Sequence, residues 1–176
     1  EMCIRDRLIA VLATSMKVGA SVCASSGFNA LKFLDLARLE KITWYSGVPT
    51  MHQAILLRAN KNKEAAKNLN LRLIRSSSAS LPPAVFKDLN DAFNCPVIEA
   101  YGMTEATHQM TSNPLPPKQQ KAGFVGLPAG PEVCIMSENG DMMKQGEEGE
   151  VCIKGENVTL GYDCLLYTSD AADEGG

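Results

Sequence analysis

Cys95-Pro96-Val97-Ile98-Glu99-Ala100-Tyr101-Gly102-Met103-Thr104-Glu105-Ala106-Thr107-His108 is the stretch from which the rest of the chain can be read. Pro96 to Ala100 predicts a short buried strand, because an apolar run of that length is bounded by a turn residue and by Gly102. The chain must then bend, and within eight residues it presents an aromatic ring, a glycine, a hydroxyl, a carboxylate and an imidazole. In an open α/β sheet, ligands bind outside the carboxyl ends of the strands. Each residue type there suits a nucleotide. Tyr101 can lie on a base, Gly102 lets backbone approach a ligand, Thr104 can donate to a phosphate, and Glu105 can hold a magnesium ion.

Upstream, the pattern alternates between strands and helices. Leu8 to Met16 reads as the tail of a helix closed by Gly19, and Ala20 to Ala24 as a short strand before the turn Ser25-Ser26-Gly27. Asn29 to Lys41 has helical spacing, with Leu31, Phe33, Leu34, Leu36, Ala37 and Leu39 on its apolar face. Ile42 to Ser46 is the next strand, and Pro49 and Thr50 open a helix to about Asn60. The lysine- and asparagine-rich Asn60 to Asn70 reads as a solvated loop or exposed helix end. Leu71 to Arg75 is a strand, Ser76 to Ser80 a loop, and Leu81 to Phe93 a helix with Pro82 and Pro83 in its first turn. Strands and helices in this alternation mean parallel βαβ units, an α/β sheet covered by helices.

After about Asn113 the texture changes. Pro114, Pro116, Pro117, Gly123, Gly126, Pro128 and Gly130 punctuate a segment without helical period. Glu132 to Met136 and Glu150 to Lys154 read as antiparallel strands, and Glu138-Asn139-Gly140-Asp141 carries a hairpin signal. The expected organisation is an α/β subdomain over 8–112 and part of a small antiparallel β subdomain over 113–163.

Tyr101-Gly102-Met103-Thr104-Glu105 resembles the adenosine-phosphate motif of the adenylate-forming superfamily, which contains acyl-CoA synthetases, 4-coumarate–CoA ligases and luciferase. Gly149 to Gly155, followed by Gly161-Tyr162, resembles that superfamily's β-subdomain signature. Within it, three segments resemble the oxalate–CoA ligase subgroup: Thr43 to Gln53, Arg75 to Leu81, and Glu105 to Pro116. The similarity runs from about Leu8 to Tyr162. It implies part of an ATP-dependent acid–CoA ligase that joins a carboxylate to ATP as an acyl-adenylate, then lets coenzyme A displace AMP. The cofactors implied are ATP, magnesium and coenzyme A, and the acid implied is oxalate. The resemblance places nucleotide contacts at Ser77, Ser78, Ala79, Glu99, Ala100, Tyr101, Gly102, Met103 and Thr104. It gives catalytic roles to Thr104 and Glu105, the metal to Glu105, and the acid to Ser78 and His108. Oxalate is a small dianion without an apolar tail, so its site needs donors and positive charge, which an imidazole suits.

Each residue has a plainer reading. Ser80, ahead of Leu81-Pro82-Pro83, would serve as a helix N-cap. Tyr101 alone would be a core or rim aromatic, and Glu105 a carboxylate favoured by a helix dipole. His108 would be an exposed loop histidine, and His52 and Trp44 structural. Only the spacing of Tyr101, Gly102, Thr104 and Glu105 lifts the functional reading. Two motifs of the resembled family, its phosphate loop with a lysine and its ribose-binding Thr-Gly-Asp, do not occur in the chain. The chain alone is therefore expected to lack ligase activity, to bind ATP weakly or not at all, and to be poorly soluble through apolar edges.

The termini read differently. Glu1 to Asp6 and the first base of the next codon can be encoded by GAG followed by ATGTGTATAAGAGACA, and the reverse complement of that element, TGTCTCTTATACACAT, encodes Cys164 to Thr168. The element resembles a transposase adaptor used in sequencing libraries, so residues 1–7 and 164–176 are set apart from the fold. The formal net charge of -3 then falls near zero, because Asp170, Asp173 and Glu174 lie in the tail and Glu1 to Arg7 cancel. With 45% apolar residues and a mean hydropathy of -0.09, the chain offers no electrostatic footprint for nucleic acid or an anionic membrane. No apolar stretch is long enough for a transmembrane segment. Cys23, Cys95, Cys134 and Cys152 sit in strand-like apolar runs without Cys-x-x-Cys spacing, predicting buried free thiols in a reducing, intracellular compartment, cytoplasmic or peroxisomal. The alternatives left open are a non-catalytic nucleotide-binding module, a CoA ligase for another small or aromatic acid, and a chimeric translation without a role of its own.

Overall fold

A computed structural model describes residues 6–161. The adaptor-like ends lie outside the described residues, apart from the backbone of residues 6 and 7. The described chain opens with π-type helical turns over Asp6–Ala13 and continues as α1 (Thr14–Lys17). There follow α2 (Phe33–Leu39), β1 (Trp44–Gly47), α3 (Pro49–Lys61), α4 (Lys63–Lys67), β2 (Leu73–Ser76), α5 (Pro83–Phe93) and β3 (Val97–Tyr101). The rest of the chain forms β4 (Thr111–Ser112), β5 (Leu127–Pro128), β6 (Glu132–Met136) and β7 (Glu150–Lys154). β1 to β5 make one sheet in that spatial order, with β1, β2 and β3 parallel and β4 and β5 antiparallel. β6 and β7 form a separate antiparallel pair. This is the α/β sheet with a small antiparallel β unit that the sequence predicts.

Helix placement follows from periodicity. α3 starts on Pro49 and buries His52, Ile55, Leu56 and Ala59, one stripe at helical spacing. α5 buries Phe86, Leu89 and Phe93 and stops at Asn94 in the left-handed conformation, φ 50°. α4 lies in the lysine-rich stretch and is capped by Asn62, whose Oδ1 accepts from Ala65 N at 3.3 Å. These stripes join Tyr45, Ile74 and Val97 in one core. Those three residues are register partners across β1, β2 and β3, so the helices cover that face of the sheet. The next row, Ser46, Arg75 and Ile98, points to the opposite face because side chains alternate along a strand.

Several local expectations fail. Residues 20–24 form no strand and are exposed, Cys23 among them, because this run pairs with no strand among the described residues. The first amphipathic helix is shorter than its pattern. Leu34 and Ala37 are buried, whereas Leu31 and Leu39 face solvent. Ser80 does not cap α5, which begins at Pro82 and Pro83 without a side-chain cap; Glu99 receives Leu81 N instead, at 3.4 Å. The turn at Glu138 to Asp141 forms, with Gly140 at φ 84° and Gly140 N bonded to Ser137 O at 2.9 Å. It folds β6 onto an isolated bridge, Met136 to Met142, and a further turn precedes β7.

Candidate functional site

Because β1, β2 and β3 run parallel, the loops after Gly47, Ser76 and Tyr101 emerge at one edge of the sheet. The third loop contains a short 3-10 turn, Thr104–Ala106. Its geometry depends on Gly102. A Cβ added there would stand 1.4 Å from the carbonyl oxygen of His108, so the loop closes onto the space a side chain would fill. His108 N bonds Met103 O at 3.0 Å, and Met110 N bonds Tyr101 O at 3.0 Å, sealing the turn. Thr107 and His108 take φ values of 49° and 86°, where residues with a Cβ are strained.

His108 is buried, which removes the exposed-loop reading. Its Nε2 lies 3.0 Å from Arg75 Nη2. Arg75 Nη1 donates to Ser77 Oγ at 2.8 Å and Ser46 Oγ at 3.2 Å. Arg75, Ser77, His108 and Ser46 thus form one polar cluster on the sheet face away from the helical core. Ser77 is buried, and its neighbours Ser78 and Ala79 are exposed, Ser78 at φ 71°. The two residues expected at the acid, Ser78 and His108, are joined through Ser77 and Arg75. Tyr101 is exposed at the strand end, and Gly102, Met103, Thr104 and Glu105 are half-buried along the loop. Ala100 is buried within β3. Glu99 is buried, and both its carboxylate oxygens accept backbone amides, from Leu81 at 3.4 Å and Gly123 at 2.8 Å.

Sequence reasoning gave no role to three residues that hold this arrangement. Arg75 is a charged residue in an apolar strand, a signal that was legible. Asn157 donates from Nδ2 to Ala106 O at 2.8 Å and Gln109 O at 3.3 Å, and Thr107 Oγ1 donates to Asn157 O at 2.7 Å. Asn113 accepts from Lys121 N at 2.9 Å and donates to Phe124 O, folding the proline-rich segment back on β4. Nothing in a lone asparagine could have announced contacts some fifty positions away. His52 lies on the helical side of the sheet, beside the backbone of Gly47 and Arg75. It is buried against Tyr45, with Nδ1 3.2 Å from the phenol, and burial lowers its pKa to about 4.

The AMP-binding enzyme family matches residues 7–163 of this chain. The chain belongs to the AMP-binding enzyme family. It is 47% identical over 158 residues to an oxalate–CoA ligase of Arabidopsis thaliana, covering 88% of this chain and 30% of that protein. It is 44% identical over 155 residues to an oxalate–CoA ligase of Saccharomyces cerevisiae, covering 88% of this chain and 28% of that protein. The fold superposes on ATP-bound MatB from Rhodopseudomonas palustris with a TM-score of 0.79 at 29% identity, over 89% of this chain and 30% of that one. The chain therefore spans about three tenths of the length of the curated relatives it matches. Among the described residues no helix is long and apolar enough to cross a membrane.

Proposed function

We propose that the whole protein is an AMP-forming acid–CoA ligase whose acid is oxalate. The observation that carries the reading is the buried His108–Arg75 pair beside the motif loop, a polar, cationic setting suited to a small charged acid. The similarity to two oxalate–CoA ligases supports it, as does 33% identity over 144 residues to a sulfoacetate–CoA ligase of Cupriavidus necator, named for another small charged acid. In the first half-reaction the carboxylate of the acid attacks the α-phosphorus of ATP and pyrophosphate leaves. In the second, the thiol of coenzyme A attacks the acyl carbon and AMP leaves. Both carboxylate and phosphate are anionic, so catalysis is positioning plus charge neutralisation.

Thr104 would donate its hydroxyl to the α-phosphate. Ser77, Ser78 and Ala79 would lie along the adenine, with Tyr101 against the base and the backbone of Glu99, Ala100, Gly102 and Met103 around the nucleotide. Because both Glu99 oxygens are taken by amides, its contribution would come through the backbone. Ser78 and His108 would hold the acid. Among the described residues no cluster of three His, Cys, Asp or Glu could hold a metal alone. A magnesium ion held by one carboxylate and phosphate oxygens fits such a donor set, with Glu105 as the protein ligand. When bound, it would supply charge neutralisation at the phosphates.

We further propose the division into an α/β subdomain over 8–112 and part of a β subdomain over 113–163. The test of function is acid-dependent ATP–pyrophosphate exchange by the full-length protein. Oxalate should support exchange, and Thr104→Val and Glu105→Gln should each slow it about 10²- to 10³-fold. Exchange with aromatic acids but not oxalate would overturn the substrate. The 176-residue chain alone should form no thioester and should bind ATP weakly or not at all, and tight, stoichiometric ATP binding to it would refute the second of these expectations.

A further inference from the structure

Arg75 reaches His108 across 33 positions of sequence, from the middle of β2 to the end of the motif loop. Its guanidinium has donors only, so in this bond His108 Nε2 accepts, and the ring proton lies on Nδ1. The hydrogen bond at one imidazole nitrogen thereby sets what the other can do. The backbone of His108 is fixed as firmly. It is held at φ 86° by the bond to Met103 O and by the carbonyl lodged against Gly102. A residue kept in a sparsely populated conformation by several independent contacts is over-determined, which is characteristic of functional positions. Arg75 is itself pinned by Ser46 and Ser77, and the chain continues from Ser77 directly into Ser78.

We propose that Arg75 is the positioning residue of the acid subsite: it locks His108 as an Nδ1–H donor to the substrate carboxylate and places a permanent positive charge behind it. The proposal rests on the ligase reading and deepens it. The guanidinium, ionised at any working pH, supplies the charge that a doubly charged acid requires. Ser77 links the same guanidinium to the loop carrying Ser78, so one side chain sets the spacing of both acid contacts.

Two measurements test this. In long-range ¹⁵N–¹H correlation spectra of the histidine-labelled full-length protein, the imidazole signals lost in His108→Asn belong to His108. The expected spectrum shows a protonated Nδ1 and an unprotonated Nε2. A proton on Nε2, alone or on both nitrogens, overturns the proposal. In the full-length protein, Arg75→Gln should raise KM for the acid roughly ten- to a hundredfold, the loss of a charge-assisted hydrogen bond, with KM for ATP unchanged. Arg75→Lys should recover part of that loss, since it keeps the charge but not the fork. A parallel rise in both KM values, or no recovery by lysine, would mark Arg75 as structural only. If Arg75→Gln fails to fold, the spectrum of the unaltered protein still decides. If the unaltered protein shows no acid-dependent exchange, the ligase reading falls, while the spectrum separately reports whether Arg75 sets the His108 tautomer.

Discussion

Gly102→Ala should undo the motif loop. The added methyl would sit 1.4 Å from His108 O, 2.5 Å from His108 C and 3.0 Å from Gln109 Cα. All three atoms are backbone, so no side chain can swing away; the loop must retreat by about 1.6 Å to reach the shortest approach that real Cβ atoms make. That retreat strains or breaks two backbone hydrogen bonds, His108 N to Met103 O and Met110 N to Tyr101 O, worth about 1 kcal/mol each. It also pulls the His108 ring from Arg75, a bond to a charged group worth roughly 1.5–3 kcal/mol. Loss of glycine's freedom in the unfolded chain returns about 0.4–1 kcal/mol. The net loss should be about 2.5–4.5 kcal/mol, a large share of the ~5–15 kcal/mol that holds a domain together. Urea titration of the chain should show the midpoint falling at constant slope. Gly27→Ala is the control: nothing lies within 4 Å of its added methyl, and its midpoint should barely move. A Gly102→Ala protein within about 0.5 kcal/mol of the parent would refute the reasoning, because the loop would then have another conformation of equal energy.

Three further outcomes follow from the same structure. Burial holds the folded pKa of His52 at about 4 against 6.5 when exposed, so between those pH values the unfolded chain binds the extra proton. Stability should therefore be complete above about pH 6.5 and fall by roughly 3 kcal/mol as pH drops to 4; a His52→Gln variant with the same acid-side slope would exclude His52 as the cause. Exposed Cys23 should alkylate in the native protein, whereas Cys95, buried and with its thiol pushed up to about 11, should react only on unfolding; peptide mapping that finds Cys95 modified natively would contradict the packing. Asn157→Ala removes two hydrogen bonds to the loop and should cost about 1–2 kcal/mol, with faster amide exchange at His108 and Met110; unchanged protection there would show that the clamp is dispensable.

The elements that were legible are those whose signal is local and periodic. α3 and α5 carry apolar stripes at helical spacing and begin on proline, and β1 to β3 are short apolar runs between turn residues. The run from Ala20 to Ala24 looks much the same, yet it stays out of the sheet, because a strand is made by a neighbour and not by its own composition. The same gap explains Cys23, judged buried by the company it keeps in sequence and exposed in space. Leu31 and Leu39 failed for a related reason. An apolar face is buried only where something packs on it; α2 begins after Leu31 and ends on Leu39, and only Leu34 and Ala37 between them are buried.

The candidate site shows the limit more sharply. Apart from Ser77, Ser78 and Ala79, its residues come from one stretch because β3 and its loop are contiguous, but what fixes them is not. Gly102 reads as a glycine making room for a ligand; the atom occupying its space is the carbonyl of His108. Glu99 reads as one more nucleotide contact; its carboxylate ties the start of α5 to the segment at Gly123. His108 owes its place to Arg75 on the neighbouring strand and to Gly102 on its own, while Asn157 and Thr159, from beyond β7, hold the loop from outside. Contacts of that kind join residues from 46 to 159 at one sheet edge, and their spacing in sequence carries no period. A five-residue motif can therefore mark the family while leaving the positioning to residues that only the fold brings together. Arg75 is where the two kinds of information meet. A lone charge on an apolar strand is visible in the sequence, and the register that turns it toward His108 is visible only in the sheet.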